Sequence, residues 1–319
     1  MWKTILRRVL LMIPQLAVLS IFVFVLANFM PGDPFSGMID PNTPPERIEE
    51  LREKAGLNDP LPTQYIRWVK NAARGDFGRS YSMKMPVAKL IGSRAQNTFW
   101  LALMSLMFLY LFSIPLGILA GRYSGSRLDR TINLYNFLTL SIPGFVMYLV
   151  TLLIFGYRLR WFPTGGTVGL NAGSGLSFAL SRIYHMLLPS LSYAFIATTS
   201  IVQYLRNEIV DAKTQDYVRT ARAKGVPTNK VYSHHIFRNS LLPIAAFLGF
   251  QITGLLGGSI MIETVFSYPG MGKLFIESVL SRDYSVMTTL VLLYGLLTLL
   301  GSLLSDIIMT IVDPRIRID

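Results

Sequence analysis

Few residues in this chain are equipped for bond-making chemistry. There are 3 histidines and no cysteine, which excludes thiolate nucleophiles, disulfide frameworks and Cys-based zinc sites. His234 and His235 are adjacent, so on a helix they point about 100° apart and cannot jointly hold a metal. His185 opens an apolar stretch and Asp306 is the single charge inside one. An intramembrane protease needs a serine with a histidine, or two aspartates, at matched depth, and His185 and Asp306 stand at stretch ends. Asp306 reads either as a cation or proton relay or as a charge near enough to the stretch end to pair or snorkel. No G-x-x-x-x-G-K-[ST] phosphate loop occurs, since Gly272-Lys273 is followed by Leu274. The sequence points to no catalytic group, no metal site and no cofactor bound by this chain.

The elements that carry these residues are apolar. Hydrophobic residues make up 51% of the 319 and charged residues 15%, against about 25% charged in ordinary soluble domains. Charge avoids six windows, 9–30, 99–121, 132–156, 185–205, 241–262 and 286–312, which hold one charged residue between them. Each exceeds the roughly 20 residues that cross a bilayer core of about 30 Å at about 1.5 Å per residue. The reading is an all-α membrane protein with six transmembrane helices. Period-2 alternation, the mark of a barrel, is absent. Lys3, Arg7 and Arg8 precede the first window, which is too long for a signal peptide core and lacks a small-x-small cleavage site beyond it, so it reads as an uncleaved span.

A net charge of +12 would suit a nucleic-acid binder, but its distribution records topology instead. With the N-terminus inside, short cytoplasmic segments carry 15 Lys and Arg and the short outer loops carry 5. That bias places both termini in the cytoplasm, faces the cations to anionic lipid and predicts no nucleic-acid partner.

Four parts follow: a cytoplasmic tip and first span (1–30), an extracytoplasmic helical cap (31–98), a five-helix core (99–312) and a cytoplasmic tail (313–319). In the cap, Asn42 or Thr43 can start a helix through Pro44 and Pro45. A second helix runs from about 62 to 74 with Tyr65, Trp68, Val69, Ala72 and Ala73 on one side, closed by Gly75-Asp76-Phe77-Gly78; a solvated linker with local helix is the rival reading. Glycines at 165, 166, 169, 173 and 175 mark a flexible loop. Pro14, Pro115, Pro143, Pro189 and Pro243 fall in the first five windows; a kink that gates a path fits best at Ser141-Ile142-Pro143-Gly144. Gly254, Gly257 and Gly258 are the expected close helix contact.

The cytoplasmic loop 206–240 holds 7 basic residues and is longer than a chain reversal needs. Asp216 to Lys224 suits a short helix, acidic at its start and basic at its end. Gly225 permits the left-handed stop and Pro227 prevents resumption. A second helix can start at Thr228 and lead through His235 and Arg238. The result is a compact knob whose small residues, Ala221, Ala223 and Gly225, let another protein approach.

These residues resemble a family. The run Asp216, Tyr217, Val218, Arg219, Thr220, Ala221, Arg222, Ala223, Lys224, Gly225, then His235, Arg238-Asn239 and Leu242-Pro243, is similar to the ATPase-contacting loop of bacterial peptide ABC importer permease subunits. The wider class has Glu-Ala-Ala, three residues, then Gly; Arg219, Thr220 and Ala221 stand at those first positions here, as in the oligopeptide and dipeptide branch. Met30-Pro31-Gly32-Asp33-Pro34, Gly75 to Ser80, Pro86-Val87, Asn97-Thr98, Glu263 to Phe266, Pro269 to Gly272, Arg282-Asp283-Tyr284 and Asp313 to Arg317 extend the resemblance over nearly the whole chain, closest to the first integral membrane subunit of an oligopeptide permease. The resemblance implies the type I ABC importer transmembrane fold and a second homologous permease subunit. It implies two ATPase subunits carrying ATP and Mg, an extracytoplasmic peptide-binding protein, a peptide substrate and a place in the bacterial cytoplasmic (inner) membrane. Pro143, Gly144 and Glu263 become candidates for the substrate path, Glu263 as a group for a peptide amine or as a plain interfacial residue. Importers of nickel or antimicrobial peptides share these motifs. An ion-driven secondary transporter is the rival from another class; it would show paired intramembrane acids and internal repeats.

Overall fold

The structure, a computed structural model, describes residues 2–29, 46, 50, 53 and 58–312. The expected helix from Pro44 on, the motif at 30–34 and the tail 313–319 lie outside the described residues.

Helices dominate, and among the described residues the one β-type contact is the isolated bridge between Arg79 and Pro86. In chain order the helices are α1 (Trp2–Phe29), α2 (Leu61–Ala73), α3 (Val87–Arg122), α4 (Arg127–Ser141) and α5 (Gly144–Thr151), which continues as a π-helical turn, Leu152–Arg158. There follow α6 (Leu176–Ala212), α7 (Asp216–Ala223), α8 (Thr228–Lys230), a π segment (Val231–Ile236) and α9 (Phe237–Ser240). The chain then forms α10 (Leu242–Leu256), α11 (Ile260–Val265), α12 (Met271–Leu280) and α13 (Tyr284–Val312).

Five stretches are long and apolar enough to cross a bilayer: Ile5–Phe29, Val87–Arg122, Leu176–Ala212, Phe247–Val265 and Tyr284–Val312. The sixth expected span, the third window, is folded over. The pair Arg127–Ser141 and Gly144–Arg158 bends by 99°, and the count reaches six when that pair is taken as one span. The cause is local. Ile142 precedes a proline, which disfavours the helical basin, and it is extended at φ −108°, ψ 127°. Pro143 then starts α5 at φ −54°, ψ 132°. Pro115 and Pro189, by contrast, sit inside the continuous helices α3 and α6.

The central packing is α3 against α6, with Leu109, Leu205 and Ile209 in its core. α10 crosses α13 closely at Gly249, where a Cβ would lie 2.4 Å from the Ser305 nitrogen. Of the three glycines expected to allow close contact, a Cβ on Gly254 would meet nothing within 4 Å, whereas a Cβ on Gly258 would fall 2.5 Å from the Gly272 nitrogen of α12. α1 leans on α13, and Arg8 Nε stands 3.0 Å from Asp306 Oδ2, so the intramembrane acid has a cationic neighbour. α2 rests on α1: Tyr65 and Ser20 hydroxyls meet at 2.7 Å, and the Phe24 ring centroid lies 5.4 Å from that of Tyr65 and 5.8 Å from that of Trp68. The wide exposed apolar surface of α1 and of the bent pair suits lipid tails or a partner helix rather than water.

Candidate functional site: the loop between α6 and α10 and the two ends of the bundle

The loop folds as its sequence directs. α7 spans Asp216–Ala223. Gly225 turns at φ +72°, its N–H donating to Arg222 O at 2.9 Å while Val226 N–H donates to Ala221 O at 3.2 Å. Those two bonds satisfy two of the carbonyls that a helix end leaves open. Pro227 then leads into α8 at Thr228. The Asp216–Arg219 ion pair, 3.6 Å apart with both side chains well exposed, adds little stability.

α7 has two faces. Val218 and Ala221 are buried in one apolar cluster with Ile209, Ala212, Val231 and Ile236. Asp216, Tyr217, Arg219, Thr220, Ala223, Lys224 and Gly225 are exposed. This corrects the expected role of Ala221, which seats the helix on its own chain instead of offering a small surface to a partner. Apolar burial at period 3.6 decides the matter, since Val218 and Ala221 lie one turn apart. His235 is half-buried and Arg238 exposed.

The same end of the bundle carries a charge pair of which the sequence reading counted only Arg206, as topology, with Asp129 buried and Arg206 partly so. Asp129, in the first turn of α4, receives Arg206 Nε at 2.6 Å and a second guanidinium nitrogen at 2.8 Å. Gly125 N–H donates to it at 2.8 Å and Asn133 Nδ2 at 2.8 Å. The two-pronged contact suits arginine geometry and ties α4 to α6. Partial burial pulls the Lys213 ammonium below its ordinary value, against the charge of Asp129, which pushes it back up.

The opposite end gathers residues far apart in sequence. Glu263 is fully buried; Oε1 accepts from the Thr98 hydroxyl at 2.9 Å and Oε2 from Lys273 N–H at 2.9 Å. Thr98 in turn accepts from Met271 N–H at 2.8 Å. Asn97 donates to Pro269 O at 2.9 Å and accepts from Arg182 at 3.0 Å. Burial pushes the Tyr268 hydroxyl up to about 12, so it stays a donor to Asn97 O, 3.2 Å away. Nearby, Asp283 accepts from Ser80 Oγ at 2.5 Å and from Ser82 N–H and Oγ, each at 3.2 Å. The short motifs at 78–80, 97–98, 263–266, 269–272 and 282–284 thus converge here.

Glu263's hydrogen bonds run to Thr98 and the 272–273 backbone, while its helix α11 packs on α5, Ile262 and Phe266 sharing a core cluster with Tyr148 and Leu152. Pro143 and Gly144 form the elbow of the bent pair; Pro143 is exposed, and a Cβ on Gly144 would meet Ile196 of α6 at 3.8 Å. Glu263 also lines a small cavity with Thr98, Ser105, Leu255 and Ser259. No sequence signal links Glu263 to Thr98, 165 positions away.

Comparison with known proteins agrees with this architecture. Residues 113–318 match the family of binding-protein-dependent transport system inner membrane components, and residues 1–102 match the N-terminal region of such membrane components. The oligopeptide transport system permease protein AppB of Bacillus subtilis is 40% identical over 314 residues, 98% of each chain. The glutathione transport system permease protein GsiC of Escherichia coli K12 is 34% identical over 317 residues, 99% of each chain. A solved structure of the MetNI methionine ABC transporter in an inward-facing conformation matches with a TM-score of 0.54 at 17% identity, covering 70% of this chain and 96% of that one. That likeness fixes the fold as the transmembrane domain of a type I ABC importer. With family models and relatives spanning nearly its whole length, the chain belongs to the inner membrane components of binding-protein-dependent transport systems.

Proposed function

We propose that this chain is one of two homologous membrane subunits of an ABC importer that takes up oligopeptides, each subunit lining half of the path. The observation that carries the reading is the exposed face of α7, presented at one end of the bundle by an apolar seat, in a chain whose relatives bear oligopeptide and glutathione transport names over nearly their full length. In this reading two ATPase subunits, which carry ATP and Mg, dock on Tyr217, Arg219, Thr220, Ala223, Lys224 and Gly225. Asp216, His235 and Arg238 border that surface. A binding protein delivers peptide at the Glu263 end. ATP-driven closure then displaces the loop and rocks the spans, an alternation between two states set by differential contacts. The elbow at Pro143 and Gly144 is the candidate hinge of the path. In this reading both termini face the cytoplasm of a bacterial inner membrane, which the distribution of basic residues supports.

The test uses the assembled transporter purified from membranes. Ala223→Trp with Lys224→Glu alters the exposed face of α7 and leaves Val218 and Ala221 seated. The expected result is unchanged membrane insertion, loss of the ATPase subunits on purification, and uptake of a fluorescent pentapeptide lowered by about tenfold or more, the effect of about 1.4 kcal/mol. Retention of the ATPase subunits with unchanged uptake overturns the reading.

A further inference from the structure

The loop is held to the bundle in two ways. Its apolar seat, Val218, Ala221, Val231 and Ile236, rests on Ile209 and Ala212 of α6. Its hydrogen bonds to α3, among the described residues, all run through Arg122, the last residue of that helix. Arg122 donates to Asn229 Oδ1 at 2.7 Å, and its guanidinium carbon lies 4.9 Å from the Tyr232 ring centroid and 5.4 Å from that of Tyr123. Lys213, one residue beyond α6, places Nζ 5.9 Å from the same Tyr232 ring and donates to Arg122 O at 2.9 Å and Ser124 Oγ at 3.0 Å. One aromatic ring of the loop thus meets two cations, one from the end of each central helix.

We propose that Tyr232, clasped by Arg122 and Lys213, is a positioning residue that carries movement of the loop into α3 and α6 together. The inference rests on the reading of the loop as an ATPase-docking surface. A cation over a ring face is attracted over a broad area, so the clasp keeps its grip while the loop rolls. The ring stands in the π segment Val231–Ile236, an irregularity often found at functional positions. Without the ring, α7 keeps its seat on α6 and still presents its outer face, while α3 keeps only the Arg122–Asn229 hydrogen bond. The signature is therefore uncoupling with the partners still bound.

The experiment compares Tyr232→Ala, Tyr232→Phe and Arg122→Gln in the assembled transporter, reading retained ATPase subunits, ATP hydrolysis and pentapeptide uptake per ATP. Tyr232→Ala and Arg122→Gln are expected to keep the ATPase subunits and their hydrolysis while uptake per ATP falls about tenfold, within the range of measured coupling effects. Tyr232→Phe keeps the ring and restores uptake. Unchanged uptake per ATP in Tyr232→Ala overturns the proposal, as does an equal fall in Tyr232→Phe. If Tyr232→Ala sheds the ATPase subunits, Arg122→Gln decides by the same two readings. Spin labels at Arg127→Cys and Lys230→Cys, in a chain with no cysteine of its own, report the clasp independently of docking. Tyr232→Ala should broaden a distance that Tyr232→Phe keeps narrow, and an unbroadened distance overturns the clasp even where α7 proves not to dock an ATPase.

Discussion

Each end of the bundle closes over a buried carboxylate, and the two are held by opposite means. Asp129, 2% exposed, meets the charged fork of Arg206 and fills its remaining lone pairs from Gly125 and Asn133. Glu263, 0% exposed, has no Lys or Arg side chain within 4.0 Å among the described residues. A hydroxyl and the backbone N–H groups of Gly272 and Lys273 hold it. It is also walled in by backbone, since a Cβ on Gly270 would fall 2.3 Å from its carboxyl carbon. Arg206, Arg122 and Lys213 reach their partners on long stems, which can swing and keep contact. Thr98 and the 270–273 backbone have no such slack. The difference assigns compliance to the loop end, where force is proposed to enter, and rigidity to the end where α3, α11 and α12 meet.

Removing the guanidinium is the sharpest way to break that comparison. Arg206→Ala leaves Asp129 buried without a counter-charge, and losing one member of a buried pair costs about 3 kcal/mol. The melting temperature of the purified complex in detergent should fall accordingly. The double change Asp129→Asn with Arg206→Met removes both charges and should regain most of the loss. A single variant as stable as the parent would show that the pair is not what closes this end.

How much of this was legible from the sequence differs between the two ends. At the loop end the local signals are sequential: Gly225 needs a left-handed turn, Pro227 ends the repeat, and both act where they stand. Even there the reading failed for Ala221, because a small residue suits a partner's approach and a self-packed seat equally well. Five of the six charge-poor windows became candidate spans, while the window containing Pro143 bent by 99°. The prolines at 115 and 189 left their helices continuous, so tertiary support decides which proline breaks a helix. The Glu263 end was illegible in principle. Its partners come from positions 98, 272 and 273, and nothing local in either segment states the pairing.

The Glu263 end can be tested by crowding it. Gly270→Ala puts a methyl into space that the carboxyl group occupies, and overpacking of this kind costs about 2 kcal/mol. A lower melting temperature with unchanged uptake per ATP among surviving complexes is expected. A change in coupling as large as that of the Tyr232 variants would erase the distinction between the ends.

The smallest effect belongs to Glu263→Gln, which keeps the shape and alters only the bonding. The carboxylate accepts from Thr98 Oγ1 and from the N–H groups of Lys273 and Gly272. An amide has one accepting oxygen, so at least one of those donors loses its partner; turning the amide nitrogen toward Thr98 leaves that hydroxyl's own proton unplaced. One unsatisfied buried donor costs about 1 kcal/mol, a loss a thermal melt can resolve. Pentapeptide uptake separates this structural role from a path role. If Glu263 holds the turn at 270–273, uptake per ATP stays at the parent level after the substitution. If it also meets the peptide amine, loss of its charge lowers uptake and raises the peptide concentration needed for half-maximal rate, on top of the lower melting temperature.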